Sequence, residues 1–222
     1  MESTYDDTLP LSTEVESEFL DHAGDGLTAL AWLAERDIDP APVVEHVGKI
    51  ALVQYWNVWN PDTGRYRFLI YTPDHVGPKY PPELAIPIIE DGVFIDLLLI
   101  NDEMSYARAT CRASWLGREN LTLPVVRLHV HPLDWLEAGC KGVCHIEPIS
   151  RKALQELTDA TTIECNDIHT ALEAWDWGFG GDPQELERFD IDDTPDSINE
   201  YYDRSVRHHA ALVAVELEAP SW

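Results

Sequence analysis

The sequence predicts an α/β protein whose parallel-sheet C-terminal half is preceded by an antiparallel β-hairpin region and N-terminal helices. Three observations carry this. Apolar residues between Thr13 and Ala34 recur at helical spacing, two pairs of apolar runs then follow around turn-forming clusters, and after Gly117 strand-like and helix-like segments alternate.

Met1 to Asp25 carry eight acids and no Lys or Arg, and Thr8-Leu9-Pro10 is turn-prone, so the first dozen residues read as a loose arm. Val15, Phe19 and Leu20, then Leu27, Leu30, Ala31, Leu33 and Ala34, mark two helices joined at Gly24 and Gly26. Ile38-Asp39-Pro40-Ala41-Pro42 stops the second helix, and Val43 to Trp59 combines a short turn with strand-forming residues. Tyr55 to Trp59 and Tyr66 to Tyr71, separated by Asn60-Pro61-Asp62-Thr63-Gly64, predict a hairpin. Leu84 to Ile89 and Val93 to Ile100, turning at Glu90-Asp91-Gly92, predict a second, and all four strands belong in one antiparallel sheet.

In the second half, Leu121 to Val130 reads as a strand, Pro132 to Ala138 as a short helix closed by Gly139, and Gly142 to Ile146 as a strand. Arg151 to Leu157 follows as a helix with Ser150 as its N-cap, Thr161 to Cys165 as a third strand, and a helix capped near Asp167 runs to Trp175 or Trp177. A β-α-β-α-β-α order implies a parallel sheet covered by helices. The tail is acidic: Gly180-Gly181-Asp182-Pro183 and Asp192-Asp193-Thr194-Pro195-Asp196 bracket a short helix, and Ala210 to Leu217 is the last strand expected. The chain thus divides into an arm with helices (1–37), an antiparallel β region (38–117), an α/β region (118–180) and an acidic tail with a final strand (181–222).

With 41 acidic against 15 basic residues, the formal net charge is −26, which repels nucleic-acid phosphates and favours a protein partner with a basic surface, such as a nucleic-acid enzyme. The scarcity of lysine (Lys49, Lys79, Lys141 and Lys152) also suits a salty cytoplasm. The acids, however, concentrate in Met1 to Asp25 and Gly181 to Tyr202, whereas salt adaptation would spread them over every exposed helix and loop. An apolar content of 45% excludes wholesale disorder, and Asp96 interrupts the longest apolar run, Val93 to Ile100, far short of the roughly 20 residues of a membrane span. The N-terminus lacks the basic and apolar regions of a secretory signal, so the expected compartment is the cytoplasm. There Cys111, Cys140, Cys144 and Cys165 are expected as reduced thiols, mostly in the core.

No Gly-x-Ser-x-Gly elbow is present, Cys144 and His145 are adjacent and point apart on a strand, and no glycine-rich phosphate loop occurs. No cofactor is therefore expected. His129 and His131, sharing a strand face, with Cys140 and Cys144, form the best zinc-like grouping, but their spacing does not suit a closed tetrahedral site, so no stoichiometric metal is expected. Asp134 is expected to cap a helix beginning at Trp135. Trp135, Trp175 and Trp177 read either as helix-to-sheet packing or as a partner-binding cluster, to which Asp190, Asp192, Asp193 and Asp196 add charge.

The run Leu121 to Trp175 resembles the Toprim fold of primases and topoisomerases. Val125 to Val130 stands as its first strand, His131-Pro132-Leu133-Asp134 as the turn, Gly142 to Ile146 and Ser150 to Leu157 as the middle unit, and Thr162 to Asp167 as the third strand with its acidic turn. Ile86 to Ile100 is similar to the hairpin that often precedes this domain in phage-type primases. The resemblance implies a Mg²⁺-binding carboxylate cluster, a hard cation's oxygen site. Val130 occupies the place of the family's catalytic Glu and Cys165 that of the first Asp of Asp-x-Asp, leaving Asp134, Asp167 and, after a one-residue slip, Glu164 as residual candidates. The expected function is accordingly that of a non-catalytic accessory or regulatory binding protein of a phage or mobile element on a degenerate Toprim-like fold. The alternatives are an acidic DNA-mimic inhibitor of a nuclease, CRISPR or restriction effector, and a divergent metal-dependent nuclease or primase.

Overall fold

A computed structural model describes residues 9–24, 26–71, 81–101, 103, 105–146 and 151–191. Most of the N-terminal arm, the cap expected at Ser150, the acids Asp192, Asp193 and Asp196, and the strand expected at Ala210 to Leu217 lie outside them. The chain is mixed α/β and forms two units, 1–113 with 136–140, and 114–135 with 141–222.

The first unit opens with α1 (Ser12–His22) and α2 (Leu27–Ala34), separated at Gly24 and Gly26, whose φ angles of 58° and 75° end one helix and begin the next. Where the sequence suggested only a helix stop and a turn, a third helix forms, α3 (Pro40–Val47). The correction has a local cause: Asp39 accepts a hydrogen bond from the Ala41 amide, and Pro40 fills the first helical position, where its missing N–H costs nothing.

Five strands follow in the antiparallel order β2-β1-β3-β4-β5: β1 (Ala51–Asn60), β2 (Arg65–Tyr71), β3 (Glu83–Glu90), β4 (Val93–Ile100) and β5 (Tyr106–Arg108). Both expected hairpins are present. In the second, Asp91 and Gly92 have φ of 51° and 76°, the paired positive values that match the twist of the flanking strands. Ala51, Val53, Ala85, Leu97 and Leu99 line one face with Phe68 and Ile70 and pack with Val15 and Phe19 of α1. Leu84, Ile86, Leu98 and Ile100 are buried on the other face, which explains why Leu97 to Ile100 reads as an unbroken apolar run. Pro87 is tolerated in β3 because β1 pairs with β3 only over Ala51–Val53, so no ladder bond is asked of it on that side.

Asp96, read from sequence as a mere interruption, is fully buried. Its carboxylate accepts from the amides of Leu97 (2.9 Å), Thr110 (2.7 Å), Arg112 (2.9 Å) and Ala113 (3.3 Å), fastening the turn after β5 beneath the sheet.

The second unit holds β6 (Trp115–Leu116), β7 (Val125–His129), β8 (Val143–His145), β9 (Thr162–Cys165) and β10 (Phe189–Ile191), in the order β10-β9-β7-β8-β6. β7, β8 and β9 are mutually parallel members of one sheet, β10 extends it in parallel and β6 closes the other edge antiparallel. The connecting helices are α4 (Pro132–Glu137), α5 (Arg151–Leu154) and α6 (Ile168–Phe179). Several boundaries differ from expectation. Residues 118–122 form a 3-10 turn ahead of β7, α5 gives way to a 3-10 turn at Gln155, and the short helix expected in the acidic tail is a 3-10 turn (Pro183–Arg188) feeding β10. Val126, Leu128, Ile163 and Cys165 form a core with Ala171, Ala174 and Trp175 of α6. On the opposite face Arg127, Glu164 and Asp190 stand side by side across β7, β9 and β10. Arg127 and Asp190 are exposed there and Glu164 is half-buried.

Candidate functional site

The C-terminal ends of the parallel strands are where α/β sheets ordinarily bind ligands, and the residual acids were expected there. Asp167 caps α6: one carboxylate oxygen accepts from the His169 and Thr170 amides at 2.9 and 3.0 Å, and the other accepts from the Thr170 hydroxyl at 2.6 Å. Asp134 is not the cap of a helix beginning at Trp135, because α4 starts two residues before it, and the Leu133 amide is satisfied by His131 Nδ1 at 3.1 Å. Glu164 projects from the face opposite Cys165, beside Asp190, as strand alternation requires. The three acids therefore do not converge, and among the described residues no three His, Cys, Asp or Glu side chains stand as a metal-binding group.

The zinc-like residues are likewise drawn apart. β7 ends at His129, so His129 and His131 do not share a strand face; His129 Nε2 donates to the Lys141 carbonyl at 2.9 Å, and His131 serves the start of α4. Burial holds His129 below the usual imidazole range; the Lys141 carbonyl and Asp134 oppose that shift and Arg127 adds to it. Burial, helped by Asp134, raises the Cys144 thiol far above its ordinary value, and Cys165 is pushed up to about 12 by burial and by the charges of Asp167 and Asp190. Neutral, buried thiols make poor nucleophiles. All four cysteines are thiols rather than disulfides, Cys111 exposed and Cys140, Cys144 and Cys165 buried.

Replacing Asp167 by Ala removes three hydrogen bonds from the first turn of α6 and is expected to lower stability by about 1 to 2 kcal/mol, with Asn recovering most of the loss. Urea denaturation of the two variants checks this; equal losses would mean that the carboxylate charge, rather than the cap, is what matters.

Of the three tryptophans considered as partner anchors, two are internal. Trp135 is buried with its indole N–H donating to the Gly142 carbonyl at 3.2 Å, and Trp175 is buried with its N–H on the Asp182 carbonyl at 2.7 Å. Both bodies pack in the core because a helix on a sheet needs bulky apolar filling there. Trp177 alone remains at the surface, 46% exposed.

The larger exposed apolar group lies in the first unit and was not singled out from sequence. On the β1–β2 hairpin Trp56, Val58, Trp59 and Tyr66 are 40% to 47% exposed, and Trp59 and Tyr66 meet edge-to-face with ring centroids 5.2 Å apart. The signal was present in Tyr55-Trp56-Asn57-Val58-Trp59, where bulky apolar residues occupy both alternating positions. Alternation puts Trp56 and Val58 on one face of the ribbon and Trp59, with its cross-strand partner Tyr66, on the other, so the outer part of the hairpin is exposed on both faces. Beside the hairpin, residues 54–58, Pro81 and Glu83 line a cleft of about 620 Å³. Glu83 Oε2 is buried there with no hydrogen-bond partner among the described residues, and desolvation pushes its carboxyl up to about 7. Tyr55, desolvated and close to Glu83, is also raised.

No helix among the described residues is long and apolar enough to cross a membrane. The chain matches no family model, no curated protein and no solved structure.

Proposed function

We propose that this chain is a non-catalytic binding protein that captures a protein partner with a basic surface, in the accessory or regulatory role that the Toprim resemblance suggests for a mobile element. The observation that carries the reading is the exposed aromatic ribbon of Trp56, Val58, Trp59 and Tyr66 beside a carboxylate-bearing cleft. Tryptophan and tyrosine are enriched among interface anchors, where a rigid ring removes much apolar area from water at little entropic cost. The charge of −26 supplies long-range attraction for a basic partner, which sets association rate more than affinity. The run of β7, α4, β8, α5, β9 and α6 supports the Toprim-like reading of the second unit, and the commitment of Asp167 to its helix cap supports a binding role over metal-assisted chemistry. A DNA mimic is less well supported, since Arg127 stands in the same row as Glu164 and Asp190 and breaks the run of negative charge.

The test pairs an activity assay with a binding measurement. The wild-type chain is expected neither to cleave nor to extend nucleic acid with Mg²⁺ or Mn²⁺. Trp56→Ala with Trp59→Ala is expected to weaken a purified partner by at least about tenfold, while Asp167→Asn leaves binding unchanged. A metal-dependent activity lost in Asp167→Ala would overturn the proposal, as would a partner indifferent to both tryptophans.

A further inference from the structure

A second cleft, of about 650 Å³, lies in the first unit between α1 and the end of the β1–β2 hairpin, a volume within the range of small-ligand sites. Four consecutive residues of β2, Arg65 to Phe68, line it. Strand alternation sends Tyr66 and Phe68 to the face that packs on α1, where Phe68 joins Val15 and Phe19 in the core, and Arg65 and Arg67 to the other face. From α1 come Thr13 with Ser17 and Glu14 with Glu18, each pair four residues apart, so one side of the helix forms the facing wall.

What this cleft offers a ligand depends on which of its groups are already bonded. Glu14 accepts from the Leu11 amide at 3.2 Å, and Glu18 lies 3.6 Å from the Arg67 guanidinium, so both acids and one arginine are engaged within the chain. Arg65 is not. Its half-buried side chain has no hydrogen bond or ion pair among the described residues, whereas every other arginine whose side chain is described bonds or pairs with an oxygen. In a chain of 41 acidic and 15 basic residues an arginine without an acid is the exception, and its planar fork of donors matches a carboxylate. The hydroxyls of Thr13, Ser17 and Thr63 are likewise unbonded among the described residues. Asn60 Oδ1 accepts from the Asp62 amide at 2.9 Å, which leaves its NH₂ group to donate. Tyr66, 40% exposed and backed edge-on by Trp59, adds a ring.

We propose that this cleft binds a sugar acid, a pyranose ring carrying one carboxylate, with the Arg65 guanidinium holding the carboxylate. The inference goes beyond the protein-binding reading and shares only Tyr66 with it. One negative charge fits because one cation is uncommitted: a phosphate dianion would bring a second charge towards Glu14 and Glu18 with no cation left to meet it. A hydroxylated ring fits because it accepts from Asn60 and from the three side-chain hydroxyls, donates to the remaining carboxylate oxygens of Glu14 and Glu18, and covers Tyr66 with its C–H face. The net charge of −26 opposes an anion at long range, but that field is screened within roughly 8 Å at physiological ionic strength, and the guanidinium contact is direct.

The probe is glucuronate, titrated against the full isotope-labelled chain and followed by amide chemical shifts, beside its neutral amide glucuronamide, acetate and glucose phosphate. A few polar contacts in an open cleft predict a dissociation constant on the order of 1 mM for glucuronate, with shifts centred on residues 13–18 and 60–68. Glucuronamide and acetate are each expected to bind at least about tenfold more weakly, the first for want of the charge and the second for want of the ring. Arg65→Gln is expected to remove the preference for glucuronate over glucuronamide while leaving the binding of glucuronamide as in the wild type, which shows that the site is still folded. Ser17→Ala combined with Thr63→Ala is expected to weaken both ligands by about threefold or more. Arg127→Gln, at an exposed arginine of the second unit, is expected to change neither. Absence of saturable shifts up to about 20 mM glucuronate would overturn the site. A preference that survives Arg65→Gln would overturn the role of that guanidinium, acetate binding as tightly as glucuronate would overturn the sugar class, and tighter binding of glucose phosphate would overturn the match to a single charge. A protein partner that depends on Trp56 and Trp59 would leave the binding-protein reading standing whichever way these titrations fall.

Discussion

Asp96→Ala is expected to lower the stability of the first unit by about 3 to 5 kcal/mol, enough to unfold many domains of this size. The side chain is fully buried and accepts four backbone hydrogen bonds, three of them from Thr110, Arg112 and Ala113. Alanine leaves those amides without that acceptor, and the desolvation they have undergone is no longer compensated by a hydrogen bond. The damage spreads because the turn is tied elsewhere. The Arg112 guanidinium donates to the Pro10 carbonyl and the Ser12 hydroxyl, both at 3.0 Å, and Ser12 donates to the Ile95 carbonyl at 2.7 Å, so the start of α1 depends on the same turn. Asp96→Asn keeps one acceptor oxygen and turns the other position into a donor facing backbone N–H groups, so its cost is expected to lie close to that of alanine. Urea denaturation followed by circular dichroism measures both; a loss below about 1 kcal/mol for alanine would mean that the turn finds other acceptors.

Gly142→Ala is expected to cost about 3 to 5 kcal/mol, from two additive sources. Its φ of +81° lies where an L side chain is strained, and a Cβ there would press into the Arg127 carbonyl, with the Arg127 Cβ only 2.9 Å away. Neither obstacle can swing aside, because Arg127 belongs to β7, which pairs with β8 on one side and β9 on the other. The Gly142 carbonyl also receives the Trp135 indole N–H and, at 2.9 Å, the Asn120 side-chain amide, so displacing it disturbs the packing of Trp135. Gly92→Ala separates the two sources. Gly92 has a similar φ of +76° with nothing within 4 Å of its added Cβ, and is expected to cost about 1 kcal/mol. Equal costs at the two glycines would show that crowding against β7 contributes nothing.

The fold was most legible where the local rule is short in range. The Asp91-Gly92 turn, the break at Gly24 and Gly26, and the Asp167 cap each depend on a few consecutive residues, and each stands where the pattern placed it. β5, β6 and β10 were not anticipated, since two or three residues carry too little periodicity to announce a strand and are held there by neighbours distant in sequence. α3 was missed by reading Pro40 and Pro42 as breakers when Asp39 made Pro40 a helix start.

For the candidate site the division is sharper. Sequence alone determined the charge, the absence of recognised catalytic and phosphate-binding motifs, the alternation of strands and helices after Gly117, and the departures at Val130 and Cys165 from the Toprim pattern, because these are properties of residue type and order. Tertiary structure decided which side chains share a place: it set Glu164 beside Asp190 and away from Asp167, enclosed Trp135 and Trp175, separated His129 from His131, and left Trp56, Val58, Trp59 and Tyr66 outside. It also decided that, among the described residues, β3 pairs with β1 only over Ala51–Val53. The physical reason is that a side chain's solvation, and with it the state of a carboxylate such as Glu83, is fixed by what the rest of the chain packs around it, a quantity no stretch of neighbouring residues contains.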